Sequence, residues 1–203
     1  MKNLIIATKN KGKVEEIKSI LAGCNFRVIS QNEAGIDIDV EETGLAFEEN
    51  SLLKARAIQE ISGEMVIADD SGIEIDFLRG APGIYSARFL GKITDEERCQ
   101  GVLKLMNGIP DEFRNARFRC AVSIVTNIEE MTFLGTLEGK ISFSPKGNKG
   151  FGYDPIFFVP QYKKTLAQLD ENIKNNISHR GKAFKLLAKK LKNWSSHEII
   201  SSN

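Results

Sequence analysis

Leu4-Ile5-Ile6-Ala7-Thr8-Lys9-Asn10-Lys11-Gly12-Lys13-Val14 is the stretch that decides the fold class. Its first four residues read as a short buried strand. The polar, glycine-bearing run after them reads as a turn, and Val14, Ile17, Ile20 and Leu21 then recur at helical spacing. Arg27 to Ser30 is the next strand, so the chain opens in a β-α-β pattern.

Outward from that start the elements continue to alternate. Phe47, Leu53, Ala57 and Ile61 mark a second helix, closed near Gly63. Met65 to Ala68 is strand-like and runs into Asp69-Asp70-Ser71-Gly72, where Ser and Gly predict a turn. Ile73, Ile75 and Phe77 alternate with Glu74 and Asp76 as a half-buried strand. Thr94, with Glu97 three residues on, reads as a capping box opening a helix to Met106. Phe118 to Thr126 and Met131 to Phe143 read as long strands joined by a polar turn at Asn127 to Glu130. Ile156 to Val159 is one more short strand. Ser178 can cap a last helix in which Ala183, Leu187, Leu191 and Trp194 share a stripe. With no repeat, low-complexity tract or linker, residues 1–203 read as a single α/β domain with long, partly antiparallel strands.

Composition narrows the function. In 203 residues the hydrophobic share is 41% and the charged share 27%, as in an ordinary folded protein. The net charge of +1 argues against a general nucleic-acid coat or an acidic scaffold. It conceals an asymmetry: from Lys140 onward there are 12 basic and 4 acidic residues, against 16 and 23 before it. Cys24, Cys99 and Cys120 are an odd number without CxxC spacing, which fits a reducing compartment and disfavours both a disulfide framework and a zinc site. His179 and His197 cannot make a multi-histidine metal site by themselves. The start of the chain does not resemble a signal peptide, and no apolar run approaches the ~20 residues of a membrane span. A cytoplasmic protein is expected.

Five segments carry chemistry. Thr8-Lys9-Asn10-Lys11-Gly12-Lys13 lies between strand and helix, where backbone N–H groups and the helix dipole attract an anion. It is not a Walker A loop, because Ala7 stands where the first Gly belongs and Val14 follows Lys13. A solvated turn with capping residues is the plainer alternative. Asp69 and Asp70 end an apolar strand; neighbouring strand residues face opposite ways, so one carboxylate faces a given site. Such acids suit Mg²⁺ on a phosphate ligand, or equally a polar turn. Glu41-Glu42-Thr43-Gly44 is a second acidic loop. Gly147 to Pro155 is rich in glycines and aromatics, among which Phe151 or Tyr153 can stack on a base or plug a core edge. Ser178-His179-Arg180 offers donors to a carbonyl or phosphate, or is an exposed helix start.

In this order, Thr8-x-Asn10-x-x-Lys13, Glu41-Glu42-Thr43-Gly44, Ala68-Asp69-Asp70-Ser71-Gly72, Gly83-Ile84-Tyr85-Ser86-Ala87-Arg88, Phe151-Gly152-Tyr153-Asp154-Pro155 and Ser178-His179-Arg180 resemble one family. It is the inosine/xanthosine triphosphate pyrophosphatase family, also called the Ham1-like nucleotide house-cleaning enzymes. The likeness runs from Leu4 to about Leu191. It implies an elongated mixed sheet with flanking helices forming two lobes, with the active site in a cleft between them. It implies a homodimer that hydrolyses ITP, dITP and XTP to monophosphate and pyrophosphate with Mg²⁺, with no nucleic-acid or membrane partner. Carried over residue by residue, Thr8, Lys9, Asn10, Lys11, Gly12 and Lys13 would hold the triphosphate. Glu41 and Asp70 would bind the metal, with Asp70 also the proton acceptor. Ser71 and Lys174 would contact substrate, and Phe151, Gly152, Tyr153, Asp154, His179 and Arg180 would form the nucleobase pocket.

Two chemical expectations accompany the resemblance. Asp70 beside a cation should keep a low pKa, which suits orienting a water better than deprotonating it. Asp69, on the other side of the chain, would be a second ligand or a support. A donor such as Arg180 would be satisfied by a 6-oxo purine and left unpaired by adenine. Two other functions compete. One is a nucleotide- or RNA-binding module without catalysis, which the paired acids disfavour. The other is a sister enzyme acting on modified pyrimidine nucleotides.

Overall fold

The computed structural model describes residues 2–200, with side chains described for 2–192; Trp194 and His197 lie outside the described side chains. Seven strands form one mixed sheet in the order β2-β1-β3-β4-β5-β6-β7. They are β1 (Asn3–Ile6), β2 (Arg27–Ser30), β3 (Met65–Ile75), β4 (Asn115–Val125), β5 (Glu130–Ile141), β6 (Phe157–Val159) and β7 (Lys164–Thr165). Five α-helices accompany them: α1 (Lys11–Ile20), α2 (Phe47–Ser62), α3 (Asp95–Leu105), α4 (Glu171–Ile177) and α5 (His179–Ile200). The fold is α/β, as the opening β-α-β pattern requires.

Strand β1 runs parallel to β2 and β3, with Ile5 opposite Ile29 and Val66. At the other end of the sheet β5 to β7 are antiparallel, Lys140 facing Phe158 and Val159 facing Lys164. The apolar residues of β1 explain the parallel start: a strand buried on both faces is apolar throughout and needs a helical crossover to reach its neighbour. Helix α2 stops at Gly63, whose φ of 64° is the left-handed conformation that glycine adopts without a Cβ clash. Helix α3 opens with the expected capping box: Thr94 Oγ1 accepts the Glu97 N–H and Glu97 Oε2 accepts that of Thr94.

The chain divides into two compact units: residues 1–70, 120–135 and 180–203, and residues 71–119 and 136–179. The first unit has two cores, one on each face of its strands. Leu4, Ile6, Ile67, Cys120, Val122 and Ile124 meet α1 and α5 on one face. Ile5, Ala7, Val66 and Ala68 meet α2 on the other. The second unit packs Ile73, Val102, Phe118, Phe157 and Leu166 into a third core. Burying each such side chain stabilises the fold by about 1.5–3 kcal/mol. Among the described residues no helix is long and apolar enough to cross a membrane.

Two elements depart from expectation. Ile73 and Ile75 belong to β3, but Phe77 lies in a 3₁₀ turn (Asp76–Leu78) and is exposed. The other is the paired acids. Asp69-Asp70-Ser71-Gly72 is not a turn: β3 passes straight through it for 11 residues. The carboxylates find side-chain partners on both faces, so the strand continues where polar residues would ordinarily end it.

Candidate active site

Strand alternation sends the two adjacent acids to opposite faces of β3, each into a helix-covered layer. Asp69 follows Ile67 onto the α1/α5 face and is 1% exposed. Lys13 Nζ from α1 lies 3.0 Å from its Oδ2, and Arg180 Nε and Nη2 from α5 donate to the same oxygen at 3.2 and 3.1 Å. Arg180 Nη1 donates at 2.8 Å to Glu16, another buried residue of α1. Two acids and two bases thus form a buried neutral network. Burial pushes the Asp69 carboxyl up, but Lys13, Arg180 and Lys54 outweigh it and hold it well below the usual carboxylate range.

Asp70 follows Ala68 onto the α2 face. Asn50 Nδ2 donates to its Oδ2 at 3.1 Å, and Lys54 Nζ lies 3.7 Å from its Oδ1. Lys54 also donates to Glu42 Oε1 at 2.7 Å and to the Asp69 carbonyl at 2.8 Å. Asp70 titrates above the ordinary range, chiefly because it is buried and further because Glu42 is near; Lys54 opposes the shift without cancelling it. Without a metal beside it Asp70 is thus the more basic of the pair; the low pKa expected from the sequence is that of Asp70 beside a bound cation.

Helix α1 begins at the Thr8–Lys13 loop. Asn10 caps it, its Oδ1 accepting the Lys13 N–H at 3.1 Å, while the Asn10 N–H donates to Thr8 Oγ1 at 3.3 Å. The first turn holds Lys11 and Lys13 and no acid, the reverse of what the helix dipole favours. Such a terminus is suited to an incoming anion. Lys9 turns away from it to Asp37 and Asp39, at 2.8 and 3.0 Å.

The second unit carries a tight loop around Phe151–Asp154. Asp154 is buried, and its Oδ2 accepts from Lys174 Nζ at 2.7 Å and from the Phe151 N–H at 3.0 Å. Lys174 Nζ stands 4.9 Å from the Phe151 ring centroid, close enough for cation–π attraction. Gly150, at φ 80°, has no room for a Cβ, which would overlap Asp154. Asp95 at the start of α3 accepts the Gly152 N–H at 2.7 Å. His179 stacks on Phe118 at 4.6 Å with planes 10° apart.

A model of the Ham1 family matches residues 4–190. The chain belongs to the Ham1 family. A protein of Bacillus subtilis called dITP/XTP pyrophosphatase is 48% identical over 193 residues, covering 94% of this chain and 98% of its own. One of the same name from Escherichia coli K12 is 46% identical over 197 residues, covering 95% and 100%. Among solved structures, the Staphylococcus aureus Ham1 protein superposes with a TM-score of 0.84 at 42% identity, covering 95% of this chain and 99% of that one. A HAM1 protein of Coxiella burnetii gives 0.86 at 40%, covering 95% and 100%.

Against this Ham1 fold the sequence-derived residues fall into three groups. In the first unit, Lys13 pairs with Asp69 on one face of β3 and Asp70 meets Asn50 and Lys54 on the other, and Thr8, Asn10, Lys11 and Gly12 line the start of α1. Ser71 follows Asp70 directly in β3. Glu41 is exposed, and it is its neighbour Glu42 that is drawn to Lys54. In the second unit, Phe151, Gly152, Asp154 and Lys174 form one cluster. Three residues have protein partners of their own. Tyr153 is core, with its hydroxyl donating to the Ser86 carbonyl at 2.8 Å. Arg180, pictured as a donor to a purine oxygen, donates to Asp69 and Glu16 because those buried carboxylates need a cation. His179 is 5% exposed rather than set at an open helix start.

Sequence reasoning passed over Glu16, Asn50 and Lys54. Their signal was present: Asn50 and Ser51 interrupt the apolar face of α2, and both are 0% exposed. Polar residues on a buried helix face have partners to meet.

Proposed function

We propose that this chain hydrolyses deaminated purine nucleoside triphosphates, ITP, dITP and XTP, to the monophosphate and pyrophosphate, removing them from the nucleotide pool of the cytoplasm. The observation that carries the reading is full-length identity of 46–48% to proteins named dITP/XTP pyrophosphatase. The two-faced Asp69-Asp70 pair supports it by offering separate handling of a polyanion and of a water.

The anionic end of the substrate is assigned to the α1 terminus. Backbone N–H groups there, with Lys11 and Lys13, neutralise phosphate charge, and Asp69 fixes the Lys13 side chain between α1 and β3. Asp70 is assigned the attacking water, whose proton its carboxylate accepts; help of this kind is typically worth ~10²–10⁴ in rate. Lys54 holds Glu42 and Asp70 in place. The purine contact is assigned to Phe151, with Lys174 and Asp154 fixing its loop and His179 stacked on Phe118.

The residues also fit Mg²⁺. Among the described residues no group of three acids, histidines or cysteines could cage a metal. Mg²⁺, however, needs only one or two carboxylates when it arrives on substrate phosphates. Asp70 is one, penalised as an anion by burial and by Glu42. Glu42 is committed to Lys54, so exposed Glu41 is the ligand the loop offers. When bound, the cation would neutralise charge on the departing pyrophosphate. A homodimer is part of the same reading, and sedimentation velocity tests it. The activity is tested by incubating the chain and Mg²⁺ with ITP, dITP, XTP, ATP and GTP and identifying the phosphate released. Pyrophosphate, formed fastest from the first three, is expected; orthophosphate, or equal turnover of the standard triphosphates, would overturn the proposal.

A further inference from the structure

We propose that Asn50 is a positioning residue that sets the spacing between the Glu41–Gly44 loop and Asp70, and thereby how tightly the chain holds a divalent cation beside a triphosphate. The inference rests on the reading of Asp70 and Glu41 as cation ligands.

Asn50 lies in the first turn of α2, is 0% exposed, and uses both ends of its amide. Its Oδ1 accepts the Gly44 N–H at 2.8 Å, and its Nδ2 donates to Asp70 Oδ2 at 3.1 Å. The partners fix the orientation, since a backbone N–H requires an acceptor and a carboxylate requires a donor. One rigid amide therefore spans from the end of the acidic loop to the strand acid. Gly44 is matched to it: a Cβ there would sit 2.7 Å from Asn50 Oδ1 and 2.7 Å from Glu49 Cβ. No other residue lets the loop approach so closely. Lys54, one turn further along α2, makes the second tie by reaching Glu42. Groups that orient metal ligands in this way typically tune metal affinity 10–100-fold.

Two substitutions reach the same spacing by different routes. Asn50→Ala removes the amide; Gly44→Ala leaves the amide and pushes the loop away. The readout is Mn²⁺ binding, followed by the electron paramagnetic resonance of free Mn²⁺, in the presence of α,β-methylene-ITP, which is not hydrolysed. Circular dichroism melting checks that each variant folds, and Gly44→Ala carries the test if Asn50→Ala does not. Mn²⁺ affinity is expected to fall about 10–100-fold in both, with affinity for the nucleotide in EDTA unchanged. Wild-type Mn²⁺ affinity in the variants, or parallel loss of metal and nucleotide binding, would refute the positioning role. Because binding is measured without turnover, absence of pyrophosphate release by the wild-type chain would sink the proposed activity separately.

Discussion

Asp69→Asn tests the buried network most directly. The Asp69 side chain has 0% exposure and receives Lys13 at 3.0 Å and Arg180 at 3.1 and 3.2 Å. Asparagine keeps the shape and one oxygen but removes the charge. Breaking a buried ion pair typically costs 3–5 kcal/mol, mostly through the partner left buried and uncompensated. Here the cost falls at the low end. Lys13, with a side chain 17% exposed, can turn to solvent, and Arg180 keeps Glu16. A loss of about 3 kcal/mol follows, which for a chain of this size lowers the melting temperature by about 6–12 °C. Urea denaturation at pH 7 in EDTA measures it, with an unchanged slope showing that the unfolding transition is the same. The pH arm has a definite sign. The folded-state pKa of Asp69 is depressed, so its contribution is present above the ordinary carboxylate pKa and is lost as pH falls below it. The gap between wild type and variant should therefore close in acid. Asp70→Asn is the control, since burial raises the Asp70 pKa and charge there already opposes folding at neutral pH. That variant should be as stable as wild type or more so, while turnover collapses. Equal stability losses in the two variants would refute the opposite-face account.

Three further outcomes follow from single contacts. Lys54→Met leaves Glu42 and Asp70 without their shared cation and should destabilise by about 3–5 kcal/mol in EDTA; Mg²⁺ should recover more stability for this variant than for wild type, and equal recovery would count against it. Glu33, drawn down to about 2 by Lys18 and then by Ser30, stabilises above the ordinary carboxylate range and loses that effect as pH falls toward 2. The urea midpoint of Glu33→Gln should accordingly vary less between pH 5 and pH 3 than that of wild type. Tyr153→Phe strands the Ser86 carbonyl and should cost about 1 kcal/mol without altering the preference for ITP over GTP; a lost preference would return Tyr153 to the base.

Much of the fold was legible because periodicity reports burial. Leu4–Ala7 and Met65–Ala68 are unbroken apolar runs and read as strands, and the structure buries both faces of each. The Thr94-Glu97 pair announced α3 through local hydrogen bonds alone. What the pattern could not show is long-range compensation. Asp69-Asp70-Ser71-Gly72 carries every local mark of a turn. Its continuation as strand depends on Lys13, Asn50, Lys54 and Arg180, which lie 16 to 111 positions away in the chain.

The site shows the same division between residue type and residue partner. Lys13, Asp70 and Lys174 were chosen because their chemistry suits a nucleotide, and each lies in a charged cluster. Their partners were not readable, and partners decide what a charged group can do. Arg180 illustrates this. As an isolated donor at a helix start it suits a purine oxygen. Between Asp69 and Glu16, at 2% exposure, its first obligation is to neutralise two buried carboxylates, and that ties α1 to α5 beside Lys13. Adjacent acids with the same side chain acquire opposite pKa shifts for the same reason. Asp69 is paired with Lys13 and Arg180 and feels Lys54 as well, whereas Asp70 meets an amide, a neighbouring acid and Lys54 at 3.7 Å. Alternation along one strand is enough to bury one acid among cations and set its neighbour beside an amide and a second acid.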